Sequence, residues 1–162
     1  MSKMSFTWTL AGHGWADCTI ADGQAEAEAT ASYITTAPED LLTAVARLIL
    51  GEKETRAQLD AEPTIFRWIF HREGNDVRVQ LLELADSGRH DNAGTELWSS
   101  RQAVDVLARA FIRAFDEVAH KYGESGYHGK WGHPFPRLEL EALRAAWRSH
   151  SGSQSPEPPS NT

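Results

Sequence analysis

The histidines near the end of this sequence are the side chains whose type and spacing could bind a metal ion. His128 and His133 lie five residues apart in a segment rich in glycine and aromatic residues. Two imidazoles can hold zinc when a third ligand joins them, and His120 or Glu124 could supply that ligand. Metal sites normally space their ligands more closely on regular structure, whereas the glycines of this segment leave the ligand geometry undefined. We therefore predict no metal site and no bound cofactor.

The same segment, residues 127–136, has two further interpretations, and the sequence leaves both open. Tyr127, Trp131 and Phe135 could fold back over a sheet, which is a packing role with the histidines at the rim. Alternatively, Tyr127, His128, Trp131 and His133 could contact a protein partner, because aromatic residues are enriched in binding surfaces.

Two carboxylates on one strand could in principle act as a general acid and a general base. Glu26 and Glu28 share one side of a predicted strand and would lie about 7 Å apart. The same side carries Thr30 and Ser32, which is typical of a polar surface that faces solvent. A catalytic pair needs a pocket that shifts one pKa, and no neighbouring residue indicates such a pocket.

No local motif for phosphate binding or nucleophilic catalysis is present. Gly12-His13-Gly14 is the one glycine-rich step near the start, but it lies between two predicted strands and lacks the lysine of a phosphate-binding loop. The sequence contains neither a GxSxG nucleophile turn nor an HExxH zinc motif. We therefore predict no catalytic residues and favour a protein that is not an enzyme.

The negative charge of the chain is concentrated in one segment. The formal net charge is −7, and residues 22–62 contain nine acidic against three basic residues, a balance of −6. Such a segment repels the phosphate backbone of nucleic acids and attracts a basic protein by long-range steering. A solvated acidic face that serves solubility alone is the other interpretation.

The composition indicates one globular domain in a reducing compartment. The chain has 162 residues, of which 41% are hydrophobic, so it can bury a core. Cys18 is the single cysteine, which excludes an intrachain disulfide and suits the cytoplasm. The first residues lack the apolar core of a secretory signal, and no apolar run is long enough to span a membrane. Cys18 itself falls on the apolar side of a strand, where we expect a buried, inert thiol.

Period-two alternation of apolar residues predicts five strands. Phe6, Trp8 and Leu10 alternate with polar residues, and the second strand ends at Asp22-Gly23, a strong hairpin signal. The predicted strands cover residues 6–10, 15–21, 24–34, 65–71 and 77–84.

Capping patterns and helical periodicity predict three helices. Thr36 with Glu39 forms a capping box before a helix that Gly51 ends, and Ser99 with Gln102 forms a second box before the longest helix. A short terminal helix begins at about Arg137. Residues 52–63, 85–98 and 123–136 are predicted loops.

The order of elements, β-β-β-α-β-β-α-α, predicts an α+β fold. Consecutive strands joined by tight turns give an antiparallel sheet of about five strands, with the helices packed on one face. We predict a single domain over residues 1–148. Residues 149–162 are rich in Ser and Pro and are predicted to form a flexible tail.

The layout of these motifs resembles small uncharacterised actinobacterial α+β proteins of the polymorphic-toxin immunity type. The similarity covers the aromatic hairpin that ends at Asp22-Gly23, the capped helix at Pro38 and the Glu-Pro step before residues 65–71. It also covers the Tyr127, Trp131 and Phe135-Pro136 segment before a Leu-rich helix, so that it spans roughly residues 5 to 147. The resemblance implies a cytoplasmic binding protein without a catalytic step.

Three functions are consistent with these observations. The leading hypothesis is a non-enzymatic binder, in the form of an immunity-type inhibitor that covers a basic protein surface. Glu26, Glu28, Glu39 and Asp40 would steer the partner, and aromatic residues such as Trp131 would anchor it. The second hypothesis is a small-ligand protein or enzyme whose pocket under the 127–136 segment is lined by His71, Tyr127, His128 and His133. The third is a self-associating module that forms a homodimer through an edge strand or a helix.

Overall fold

The strands form two antiparallel sheets in the computed structural model, which describes residues 4–153. Seven strands lie in this part of the chain: the first sheet has the order β1-β2-β3 and the second the order β4-β5-β6-β7. The first sheet consists of β1 (Ser5–Ala11), β2 (Trp15–Ala21) and β3 (Glu26–Ser32). The second consists of β4 (Glu54–Asp60), β5 (Ile65–Glu73), β6 (Asp76–Leu84) and β7 (Thr95–Ala103). The predicted antiparallel α+β fold is confirmed, although two sheets replace the expected single sheet.

The Asp22-Gly23 turn joins β2 to β3 as the sequence predicted. The carboxylate of Asp22 accepts hydrogen bonds from the backbone N–H groups of Gln24 at 2.8 Å and Ala25 at 2.9 Å. An aspartate that satisfies the backbone two and three residues ahead fixes such a turn. It sets the register in which Cys18 pairs with Ala29. Cys18 is buried as expected, and burial raises the pKa of its thiol to about 12.

Two segments predicted as loops are strands. β4 places Thr55, Ala57 and Leu59 in the core, and the hydroxyl of Thr55 donates to the carbonyl of Ala44 at 3.0 Å. This hydrogen bond makes burial of the Thr55 side chain tolerable. Because one inward position of β4 is polar, the strand shows little apolar alternation in the sequence. β7 covers the end of the predicted 85–98 loop and also contains Ser99 and Gln102. The predicted capping box at Ser99, and with it the predicted start of the longest helix, is therefore wrong.

The helices are α1 (Ala37–Ile49), α2 (Val104–Trp131) and α3 (Arg137–Ser153). The first capping box is also wrong in detail, because the hydroxyl of Thr36 donates to Asp40 at 2.9 Å instead of accepting from a backbone N–H group. The C-terminal end of α1 is satisfied by Arg72, which donates to the carbonyls of Leu48 and Ile49.

The segment 123–136 is mainly helical rather than a loop. α2 is interrupted at Gly123, which has φ 68° and ψ 158°, and then continues to Trp131, where Gly132 with φ 105° ends it. α3 begins at Arg137 as predicted and extends to Ser153, beyond the expected start of the tail. Residues 154–162 of the predicted tail lie outside the described residues.

One aromatic core joins both sheets and α2. Phe6 of β1 stacks on Phe111 of α2 with 4.5 Å between ring centroids, and it meets the edge of Trp68 of β5 at 5.9 Å. Trp68 and Phe111 are completely buried. Stacked and edge-on ring pairs add to the stabilisation that comes from burial. In the part of the chain that the structure covers, no helix is both long and apolar enough to cross a bilayer.

Candidate partner-binding surface

Two of the predicted partner contacts, Tyr127 and Trp131, are core residues. Their exposed fractions are 0% and 1%, and the Trp131 ring meets the ring of Trp8 edge-on at 5.6 Å. Tyr127 packs edge-on against Phe135 at 5.4 Å. The packing interpretation of this segment is therefore correct for these rings, and neither can anchor a partner on the folded surface.

The backbone after β3 carries two exposed apolar side chains. Tyr33 is 50% exposed and Ile34 is 56% exposed. Trp15, which is 38% exposed, starts β2 directly opposite Ser32, the last residue of β3. We name Trp15, Tyr33, Ile34 and the adjacent His133 the aromatic rim. The rings of Tyr33 and His133 lie 6.1 Å apart between centroids, and exposed aromatic side chains are enriched in binding surfaces.

Tyr33 is held in place by hydrogen bonds and by two glycines. Its backbone N–H donates to the carbonyl of Gly14 at 2.8 Å, and its carbonyl lies 2.7 Å from Nε2 of His133. A carbonyl only accepts, so His133 carries its proton on Nε2 in this contact. The Tyr33 ring lies over Gly14 and Gly132, which both have positive φ. The hydrogen bonds fix the backbone of Tyr33, and the contacts with Gly14, Gly132 and His133 restrict the orientation of its ring.

We expect Gly14→Ala to be clearly more destabilising than Gly12→Ala. Both glycines have positive φ, at 76° and 61°, which costs an alanine about 1 kcal/mol. A Cβ on Gly14 would also lie 2.7 Å from Cδ1 of Tyr33, whereas a Cβ on Gly12 meets nothing within 4 Å. Urea denaturation should show a loss of about 2–3 kcal/mol for Gly14→Ala against about 1 kcal/mol for the control.

The double variant Gly14→Ala/Tyr33→Ala checks the cause. Removal of the Tyr33 ring should restore the part of the unfolding free energy that Gly14→Ala loses in excess of Gly12→Ala, since the added Cβ overlaps with that ring. Equal losses for the two glycine variants would contradict the close contact that orients Tyr33.

Glu39 lies half-buried in the first turn of α1, near the aromatic rim. Burial raises the pKa of its carboxyl group, and the nearby charges of Glu139 and Asp40 raise that pKa further. His133 is close enough to oppose this effect. The buried hydroxyl of Tyr127, whose pKa is raised by burial and by the charge of Glu39, has no hydrogen-bond partner in the structure. Three carboxyl groups, those of Glu39, Asp40 and Glu139, therefore lie close together at this end of α1.

Glu26 and Glu28 lie on the exposed face of the first sheet and not at the aromatic rim. Their side of β3 also carries Thr30, whose hydroxyl donates to Asp17 of β2 at 3.2 Å. At the rise of an extended strand, Glu28 is about 13 Å from the end of β3. The four predicted acids therefore belong to two neighbouring areas, with Glu39 at the rim and Glu28 further along the sheet.

The histidines do not converge on a ligand. His71 lies on β5 near Glu73, with 4.0 Å between Nε2 and Oε1, at the end of the second sheet next to the C-terminal end of α1. His133 lies near the N-terminal end of α1, about 15 Å away along the helix axis. Tyr127 is completely buried against Phe135, and His71 and His133 lie at opposite ends of α1, so the structure does not bring His71, Tyr127, His128 and His133 together around one pocket. Residues 4–153 contain no cluster of three metal-ligating side chains.

Comparison with known proteins gives one distant likeness. No protein-family model matches the sequence, and no curated protein matches it. A chain from the CdiA-CT/CdiI toxin and immunity complex from Enterobacter cloacae is similar in structure, with 11% sequence identity and a TM-score of 0.45. The similarity covers 70% of this chain and 99% of that chain. A likeness at this level assigns neither a family nor a function.

Proposed function

We propose that this protein is a non-enzymatic binding protein that covers a basic surface of a protein partner, in the manner of an immunity-type inhibitor. The observation that carries the proposal is the aromatic rim, where Tyr33 is held in a fixed orientation beside the acidic N-terminal end of α1. Aromatic anchors that lose little side-chain entropy, next to charges that attract the partner, are the usual components of a binding surface.

The predicted partner-binding acids form no close ion pair within the described chain. Elsewhere the structure pairs carboxylates with arginines, as for Glu52 with Arg47 and Glu54 with Arg56. Within residues 4–153, Glu26, Glu28, Glu39 and Asp40 are among the thirteen acids that form no ion pair at 4.0 Å or less. Uncompensated charge of one sign is complementary to a partner of the opposite sign.

Tyr33→Ala should weaken the complex mainly through faster dissociation. A buried aromatic anchor at an interface typically contributes at least about 2 kcal/mol, which corresponds to an increase of about 30-fold in the dissociation rate constant. The probe is the purified product of the gene next to the one that encodes this protein, and surface plasmon resonance measures both rate constants.

Leu50→Ser is the matched control for this experiment. Leu50 is 75% exposed and follows α1 at its other end, so its removal also deletes exposed apolar surface. We expect it to leave both rate constants nearly unchanged. Equal effects of the two substitutions would contradict the assignment of the aromatic rim, and the absence of any complex with the neighbouring gene product would contradict the immunity-type role.

A further inference from the structure

A cleft of about 730 Å³ lies between the β2–β3 turn and strand β7, at a distance from the aromatic rim along both sheets. Residues 22–24 of the turn form one wall, and residues 99–102 of β7 form the other. Arg78 of β6 also lines the cleft. Its volume is in the range of small-molecule sites.

The walls of the cleft are pinned together by a chain of hydrogen bonds. Nε2 of Gln102 donates to Oγ of Ser100 at 2.7 Å, and the Ser100 hydroxyl donates to the carboxylate of Asp22 at 2.7 Å. The bond from Ser100 also lowers the pKa of Asp22, which therefore stays ionised in the wall. Nε1 of Trp98 donates to the carbonyl of Ala25 at 3.1 Å and fixes the turn from the other side. A cleft with rigid walls needs little ordering when it binds a ligand.

Gln102 is a buried polar residue in this wall. The residue is 2% exposed, and its Oε1 atom has no hydrogen-bond partner. The chain to Ser100 fixes the amide orientation, because the single hydroxyl proton of Ser100 is already directed to Asp22. Gln102 and Ser100 are therefore held in fixed positions in the wall of the cleft.

Two arginines lie side by side at this cleft. Arg78 pairs with Arg101 directly across the β6–β7 ladder, and like charges in this position are unfavourable. Arg101 is compensated by Asp76 at 3.1 Å and Glu73 at 3.2 Å, through Nε and Nη1. Arg78 has no carboxylate within 4.0 Å among the described residues, so all five of its N–H donors are available.

We infer that this cleft binds a phosphate group through Arg78, with Nη2 of Arg101 and the exposed hydroxyl of Ser99 as further donors. The planar fork of arginine matches the oxygens of a phosphate, which can accept from two guanidinium groups at once. Asp22 occupies the opposite wall with its charge met by three hydrogen bonds. This site is independent of the proposed protein partner. The phosphate could be free or belong to a larger molecule, since the recognition chemistry is the same.

Titration of the full-length protein with inorganic phosphate tests the inference. Backbone amide NMR shifts, recorded at constant ionic strength, should saturate and should be largest for residues 22–24 and 99–102. Arg78→Gln should weaken binding at least about tenfold, because it removes the charged donor without a structural partner. The control Arg148→Gln changes an exposed arginine of α3 that forms no ion pair with any residue the structure describes, and it should leave the affinity unchanged.

The outcomes separate a site from unspecific screening. Shifts that do not saturate, or equal losses in Arg78→Gln and Arg148→Gln, would overturn the inference and mean an adventitious ion only. A second titration with adenosine monophosphate distinguishes the two sources. Tighter binding than inorganic phosphate, lost in Arg78→Gln, indicates a phosphate carried by a larger molecule, whereas equal affinity indicates free phosphate.

Discussion

Replacement of Trp131 by alanine is expected to lower the free energy of unfolding by about 3–5 kcal/mol. The ring is 1% exposed and packs edge-on against Trp8, so its removal leaves a cavity in addition to the lost burial. Equilibrium denaturation in urea measures the change, and the slope of free energy against denaturant should stay near that of the wild type if the variant still unfolds in one step.

His128→Ala is the control for this prediction. His128 lies three residues earlier on the same helical segment and is exposed, so its loss should change stability by no more than about 0.5 kcal/mol. A small effect for Trp131→Ala as well would contradict the buried placement and would return Trp131 to the list of partner contacts. The two variants thus decide between packing and binding for a segment whose sequence allowed both.

The helical form of that segment shows how tertiary packing overrides local preference. Gly123, Gly126 and Gly129 favour a loop by their intrinsic flexibility. Tyr127 and Trp131, however, are four residues apart and lie on one face of a helix, and burial of both rings outweighs the cost of the glycines. The four-residue spacing was visible in the sequence, but the sheet residue Trp8 that the ring meets was not.

The first three strands could be predicted because their alternation is strict and an Asp-Gly turn fixes the register. β4 and β7 could not, since their inward positions include Thr55 and Gln102, and polar residues become acceptable there only through specific partners in the fold. The register between strands and the division into two sheets depend on such long-range contacts, which a single sequence does not contain.

The aromatic rim was missed for a related reason. Period-two alternation continues from Ala25 through Ala31 to Tyr33, a pattern that favours a position for Tyr33 on the same side of the predicted strand 24–34 as these alanines. The strand ends at Ser32, and the chain turns there, so that Tyr33 and Ile34 point into solvent. A strand boundary that lies two residues earlier thus converts a core prediction into a surface feature.

The second large effect is expected on the association rate when the charges of Glu39 and Asp40 are reversed. Glu39→Lys/Asp40→Lys should slow association with a basic partner by at least about tenfold at low salt and reduce the salt dependence of the rate. Both side chains lie in the first turn of α1, and neither forms an ion pair at 4.0 Å or less within residues 4–153. Stopped-flow mixing with the neighbouring gene product at several salt concentrations measures the association rate constant.

Glu83→Lys/Glu117→Lys is the matched control, because it changes the net charge by the same amount on exposed positions of β6 and α2. Long-range attraction by the total charge falls equally in both variants. Any additional decrease of the association rate constant in Glu39→Lys/Asp40→Lys therefore reports the local electrostatic field at the aromatic rim. If the two variants slowed association to the same degree, the acids of α1 would have no special role in recognition.

The raised pKa of Glu39 predicts that one substitution has opposite effects on stability and on binding, which a purely structural role would not produce. Its pKa is raised in the folded protein, so between its unfolded and folded pKa values the folded state binds more protons, and stability falls as pH rises through that window. Glu39→Gln should therefore raise the melting temperature at neutral pH while it slows association with the basic partner. A surface that keeps a destabilising carboxylate in this position is better explained by recognition than by folding, and simultaneous loss of stability and binding in Glu39→Gln would remove that explanation.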